Sequence, residues 1–194
     1  LDRELVLSAQ RERLLIAATE LLAAHGYSAM SAKEICRRAG ASLTNFYQCF
    51  ETKEACVFAA YDRFIDVLIT RLVAISDAGI AWEEYIWAIV REYLDVLRAD
   101  PVVARAFQVE MDALGAEARR RRRESLTALA QLARDTFEQR DPSRVVDMPL
   151  DAYLNVVYGV RQMASDAIED GDPTFERLAL ERSTWLARFL GAEL

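Results

Sequence analysis

Residues 31–54 read SAKEICRRAGASLTNFYQCFETKE, and the fold follows from that stretch. Ser31 with Glu34 three residues later is a capping box, in which a short hydroxyl accepts from a free amide of the first helical turn. Ile35 and Ala39, with Ala32 and Cys36 beside them, form the inner side of that helix. Gly40 permits a tight turn at Ala39-Gly40-Ala41-Ser42, and Ser42 caps the next helix. Leu43, Phe46 and Phe50 are expected to face inward there, leaving Thr44, Asn45, Tyr47 and Gln48 outward or at the edge. Thr52 caps a further helix, with Lys53 and Glu54 in its first turn. Two short helices around a tight turn, the second with an uncharged polar outer face, make a helix-turn-helix. A helix that reads base edges needs short polar side chains on a rigid mount, and this one has both.

Upstream, residues 8–25 place Leu14, Ala18, Leu21, Leu22 and His25 at helical spacing, with Ser8 the expected N-cap and Gly26 the terminator. His25, the only histidine, is expected to cap or pack. Downstream, the helix that starts at Thr52 continues to about Asp77-Ala78-Gly79. That is too long for a small head alone, so it is expected to bridge head and body. Residues 81–99 form an amphipathic helix with Trp82, Tyr85, Ile86, Ile89 and Tyr93 at spacings of three and four. Asp100-Pro101 opens another helix, since proline suits a first turn. It carries Phe107, Val109 and Met111, and Gly115 divides it from a helix over about 116–139. Asp141-Pro142 and Met148-Pro149 frame a loop. Two helices follow, over about 149–169 and 173–191. Their broad apolar faces (Leu150, Tyr153, Leu154, Val157, Val160 and Ala164; then Phe175, Leu178, Leu186, Phe189 and Leu190) suit either a core or half of a four-helix dimer interface.

Composition agrees with an all-α fold. Only 7 Gly and 4 Pro punctuate 194 residues, and Ala, Leu, Arg and Glu abound. No run approaches the roughly 18 uninterrupted apolar residues of a membrane span. The chain opens on charged residues, LDRELVLSAQRER, with neither a leader nor an initiator methionine. The expectation is a cytoplasmic protein with some residues ahead of Leu1. Three cysteines (Cys36, Cys49, Cys56) without a C-x-x-C pair disfavour a disulfide framework and a zinc site, so no metal or cofactor is expected. They read as small apolar fillers in a reduced compartment.

The net charge of −7 is unevenly distributed. Residues 1–55 hold seven basic and seven acidic side chains, so the remainder carries the whole excess. An acidic body is repelled by phosphate, and only the neutral N-terminal end can face DNA. Catalytic motifs are lacking: there is no Gly-rich phosphate loop, no H-E-x-x-H and no G-x-S-x-G. A helical protein-interaction module without specific DNA binding is the main rival. It explains the body but not the outward Thr44, Asn45 and Gln48.

These residues resemble the TetR-type transcriptional regulators. The matches are Arg13, Ala17-Ala18, Leu21, Gly26-Tyr27, Ser31, Ile35, Ala39-Gly40, Ser42, Phe46-Tyr47, Phe50 and Lys53-Glu54, covering about residues 10–56. The resemblance implies a helix-turn-helix DNA-binding domain over 1–55 and a helical effector-binding and dimerisation domain over 56–194. It implies a homodimer on a pseudo-palindromic double-stranded DNA operator, usually a repressor, released by a small-molecule effector. The helix at 42–48 would enter the major groove. Asn45 and Gln48 can each make bidentate contacts to adenine, and Thr44 can meet a thymine methyl or a phosphate. Ser42 belongs to the same surface. Tyr47 and Lys53 suit phosphates, with Ser31, Lys33 and Arg37 or Arg38 gripping the backbone beside them. The family often has Gly at the position of Thr44, Thr or Ser at that of Asn45, and aromatic residues or His at those of Gln48 and Cys49. The operator sequence therefore does not carry over. A cavity among the middle helices is also implied, with Trp82, Tyr85, Ile89, Tyr93, Phe107, Met111, Tyr153 and Tyr158 as candidate lining.

The run Arg119–Arg123 stands out in the body. Consecutive helical positions step by about 100°, so five arginines cannot share one face. Pairing with Glu110, Asp112, Glu117 or Glu124 along a solvated helix is the ordinary expectation. An anchor for an anionic effector is the sharper one.

Overall fold

The computed structural model describes residues 3–76, 79–140, 148–172 and 175. Every regular element among them is helical: α1 (Arg3–His25), α2 (Ala32–Ala39), α3 (Leu43–Cys49), α4 (Lys53–Val73), α5 (Trp82–Ala99), α6 (Pro101–Ala104), α7 (Ala116–Arg140) and α8 (Leu150–Glu169). Between α6 and α7 the chain makes a π turn over Arg105–Val109 and a 3-10 turn over Glu110–Leu114.

Caps set most of the boundaries. The hydroxyls of Ser31, Ser42 and Thr52 accept from the amides of Glu34, Asn45 and Ala55 at 3.2, 3.1 and 3.1 Å. Asp100 accepts from the amides of Val102 and Val103 at 3.1 and 3.0 Å, with Pro101 in the first helical position. Each such bond satisfies an amide with no partner inside the helix, and its loss typically costs about 1 kcal/mol. Gly40 ends α2 in the left-handed region, φ 62° and ψ 39°. A side chain there would strain the backbone even though a Cβ meets nothing within 4 Å.

Ser8 does not cap α1. The helix already runs from Arg3, which leaves Ser8 in its interior. Nothing in RELVL stops propagation, and one favourable cap residue cannot start a helix where the preceding residues already favour one. Gly26 ends α1 at φ 69°. A Cβ on it would stand 3.3 Å from Oε2 of Glu110, so the bare glycine also admits that carboxylate.

The chain divides into two compact units, residues 1–66 with 100–118, and residues 67–99 with 119–194. Helix α4 contributes to both. In the first unit Leu14, Ala18 and Leu22 of α1, Ile35 of α2 and Phe46 of α3 are fully buried. Residues 100–114 complete that core. Phe107 stacks on Phe64 at 5.5 Å and meets Tyr61 edge-on at 5.8 Å, and Met111 is fully buried. Arg105 holds Glu110 through two donors, Nε at 3.0 Å and Nη2 at 2.9 Å.

The second unit is built from the end of α4 with α5, α7 and α8. Helix α5 buries Tyr85, Ile86, Val90, Tyr93, Leu94, Val96 and Leu97. Trp82 stacks on Tyr85 at 5.6 Å and leans on Phe137 of α7 at 4.9 Å. Arg71 near the end of α4 pairs with Glu92 of α5 at 2.5 Å. The expected helix over 173–191, with Leu178, Leu186, Phe189, Leu190 and the dimer face built on it, lies outside the described residues. So does the loop at 141–147. Phe175 is described and is buried.

Candidate functional site

Helix α3 is seven residues long, two turns, and is held by one side chain above all. Phe46 has 0% exposure, with the Phe50 ring 5.8 Å away and the Arg11 guanidinium 4.7 Å above Phe50. The opposite face is open: Thr44, Tyr47 and Gln48 are exposed and Asn45 is half-buried. Tyr47 packs its ring edge-on against Phe46 at 5.4 Å yet stays 58% exposed, so the ring is fixed while much of it stays open to solvent.

Leu43, expected inward, is 44% exposed. Leu43 lies about 60° around the helix from Phe46, and so short a helix buries only a narrow stripe. Leu43 thereby joins the outer surface, where an apolar side chain can meet a thymine methyl. Its place beside Phe46 rather than beneath it was readable from the 100° step.

The residues expected to grip phosphate are differently placed. Ser31, Lys33 and Ser42 are exposed, and both serine hydroxyls already serve as caps. A capping hydroxyl accepts, so its proton remains for a phosphate oxygen. Arg37 is exposed, 3.9 Å from Glu34. Arg38 instead pairs with Glu20 of α1 and so ties α2 to α1. Lys53 turns back onto the head, its Nζ donating to the carbonyls of Met30 at 2.9 Å and Tyr27 at 3.3 Å and lying 4.0 Å from the centre of the Tyr27 ring. Two of its three donors are thus spent on the turn between α1 and α2, leaving one for a phosphate.

Tyr27 completes this clamp by donating its hydroxyl to Glu54. That hydrogen bond holds the Glu54 carboxyl below the usual carboxylate range, against the opposing effect of burial. Burial first, and then Glu54, push the Tyr27 phenol up. Sequence reading gave Lys53 to phosphate and saw Glu54 only as a first-turn residue. The groups they reach, the carbonyls of Tyr27 and Met30 for Lys53 and the Tyr27 hydroxyl for Glu54, lie more than twenty positions away, and no local signal reports such a contact.

The cysteines behave as fillers. Cys36 and Cys56 are buried, and burial raises both thiols, that of Cys56 to about 12. Thiols so far above neutral pH are poor nucleophiles. Among the described residues no three His, Cys, Asp or Glu side chains could hold a metal ion, and no helix is long and apolar enough to cross a membrane.

The second unit contains a cavity of about 110 Å³. Tyr85, Ile89 and Tyr93 of α5 line it, three of the eight residues expected to do so. Leu72 of α4, Leu126 and Leu132 of α7, and Val157 and Arg161 of α8 close the other sides. The remaining five expectations fall elsewhere. Phe107 and Met111 belong to the core of the first unit, because the irregular turns of 105–114 direct them there. Trp82 is taken up by Tyr85 and Phe137. Tyr153 is buried without lining the cavity, and Tyr158 is 40% exposed. Arg161 is the residue sequence reading missed. Its signal, one cation among the valines of α8, was present but weaker than the five-arginine run. In that run Arg120 pairs with Glu124 at 2.5 Å, Arg122 is buried, and Arg119 and Arg123 are exposed.

Helices α2 and α3 with the tight turn at Gly40 form a helix-turn-helix, its second helix fixed by Phe46 and open along its polar side. Residues 14–60 match the model of the family described as "Bacterial regulatory proteins, tetR family". That match lies in the N-terminal head, from α1 into α4. Solved structures with this fold include the fatty acid degradation regulator FadR from Bacillus halodurans, 17% identical, TM-score 0.76, covering 95% of this chain and 96% of that one. FadR from Bacillus subtilis in complex with stearoyl-CoA is 17% identical, TM-score 0.72, with coverage of 94% and 98%. A transcriptional regulator from Rhodococcus sp. is 22% identical, TM-score 0.70, with coverage of 93% and 94%. Likeness at these identities concerns the fold. No curated protein matches the chain in sequence.

Proposed function

We propose that the chain is a ligand-responsive repressor, working in the cytoplasm, that binds a pseudo-palindromic DNA operator as a homodimer and releases it when a small apolar effector enters the cavity. The observation that carries this is the outer face of α3, where Thr44, Tyr47 and Gln48 are exposed on a helix whose other side is anchored by a fully buried phenylalanine. Residues 1–55 do the reading, with Asn45 and Gln48 on adenine edges and Thr44 and Leu43 beside thymine methyls. Tyr47, Ser31, Ser42, Lys33 and Arg37 take phosphates, with Arg38 and Lys53 mainly bracing the head. One head reads too few base pairs for an operator, so a two-fold pair on two half-sites is required. Residues 56–194 carry the effector cavity and the dimer contacts. The regulator FadR from Bacillus subtilis, solved in complex with stearoyl-CoA, supports a ligand-responsive reading of this fold. An effector acts only through its different affinities for the DNA-competent and released states.

Selection from random double-stranded DNA by the full chain, repeated over a range of salt, tests the reading. The expected outcome is an enriched palindrome with affinity falling steeply as salt rises. Retention of all sequences alike, or of none, contradicts it.

A further inference from the structure

We infer that Arg11 is a phosphate anchor of the DNA-binding face: a guanidinium that the Phe50 ring holds at the C-terminal end of α3, where it takes a backbone phosphate beside the bases that α3 reads. This rests on the operator-binding reading of the proposed function and adds to it a contact made from α1.

The cations of the first unit are spent unequally. Arg38 is paired with Glu20 and Arg63 with Glu12, and Lys53 gives two donors to the carbonyls of Met30 and Tyr27. Arg11 is exposed and, among the described residues, has neither an ion pair nor a hydrogen bond to an acceptor atom. The positions three and four away from it on α1 are Leu7, Ser8, Leu14 and Leu15, so no carboxylate stands at helical spacing.

Arg11 is nonetheless held. Its guanidinium lies over the Phe50 ring, 4.7 Å from the centre. Phe50 is only 6% exposed and closes α3, its amide donating to the Phe46 carbonyl at 2.8 Å. The Phe46 ring in turn meets those of Phe50 and Tyr47 at 5.8 and 5.4 Å. A continuous line of contacts therefore joins Arg11 to the exposed Tyr47 of the reading face. A cation over an aromatic ring is attracted to it without using an acceptor atom, so the N–H donors of Arg11 remain for an oxygen from outside. A fork already fixed in place loses less entropy on pairing, and guanidinium–phosphate pairs are among the stronger charge-assisted hydrogen bonds. In a chain of net charge −7, a held cation without a carboxylate is suited to a polyanion. Arg13 supplies the internal comparison. It is exposed as well, but it sits about 200° around α1 from Arg11, so the two cannot share a face.

The experiment measures affinity for the palindrome enriched by wild type, and for scrambled duplex of the same length, over a range of salt. It uses the full chain and the variants Arg11→Met, Arg11→Lys and Arg13→Met. Methionine keeps an apolar stem against Phe50 and removes the charge. Arg11→Met is expected to bind both duplexes more weakly, by about ten-fold per half-site, while selecting the same palindrome. The slope of log affinity against log salt should fall by about 0.9 for each half-site. Arg11→Lys should keep the slope and lose less affinity, and Arg13→Met should keep the wild-type slope. If Arg11→Met does not fold, Arg11→Gln is read in the same way. The inference is overturned if Arg11→Met keeps the wild-type slope or changes which bases are preferred. It is also overturned if Arg11→Lys loses the slope, or if Arg13→Met lowers it as much as Arg11→Met does. Each of these results leaves the operator reading standing so long as wild type selects a palindrome, whereas a wild type that selects none overturns both.

Discussion

The two compact units put their chemistry on opposite sides of their helices. In the first, apolar faces close completely around Leu14, Ile35 and Phe46, and what remains open is a polar surface on α3. In the second, the apolar faces of α5, α7 and α8 do not close completely, and what remains open is a space between them. A surface that reads DNA must be rigid, since a misplaced donor loses its base edge. A ligand cavity must instead tolerate being either full or empty, so imperfect closure is the useful condition there.

The largest effect is expected where that contrast is sharpest. Phe46→Ala removes the anchor of α3 and should cost about 3–5 kcal/mol. Denaturant unfolding should show the loss, with DNA binding abolished. Stability and DNA affinity unchanged from wild type would show that Phe46 does not anchor α3.

Tyr27→Phe should cost less, about 1–2 kcal/mol at neutral pH, by removing a hydrogen bond to a charged group that is only half-buried. The Glu54 carboxyl is held below its ordinary value by that bond, so its stabilisation is complete above the usual carboxylate range and fades as pH falls through the lowered value. Wild type and variant should therefore converge in acid. A difference independent of pH would show that the phenol acts by packing alone.

Smaller still for stability is Ala133→Leu, which pushes three carbons into the cavity. Filling a void and crowding its walls oppose each other, so the melting temperature should move by only a few degrees. Ligand affinity should nonetheless drop at least ten-fold. Unchanged titration would place the ligand elsewhere.

Much of this contrast was legible in the sequence, for reasons that differ by unit. Ser31, Ser42 and Thr52 announced their helix starts because capping is a local event between residues two or three apart. Gly40 and Pro101 marked boundaries through backbone geometry alone. The outward set of α3 was legible in part: Phe46 dominates so short a helix that Thr44, Tyr47 and Gln48 had nowhere else to go, whereas Leu43 went outward against expectation. Ser8 misled because capping preference is weaker than helix propagation. Phe107 and Met111 misled for a different reason. Both sit on an apolar helix face, and such a face says nothing about which core receives it. Only the π and 3-10 turns that follow α6 assign them to the first unit. Arg161 and the clamp of Lys53, Tyr27 and Glu54 depend on contacts between distant residues, which no window of sequence contains.

The central claim, that the open face of α3 reads base sequence, is tested most directly by comparing operator selection by wild type and Gln48→Ala. Gln48 is exposed, so its truncation should leave the melting temperature unchanged. The account predicts relaxed preference at one base pair in each half-site, worth about 1–3 kcal/mol, with the rest of the palindrome intact. An equal loss of affinity on every sequence, or no change on any, would contradict it.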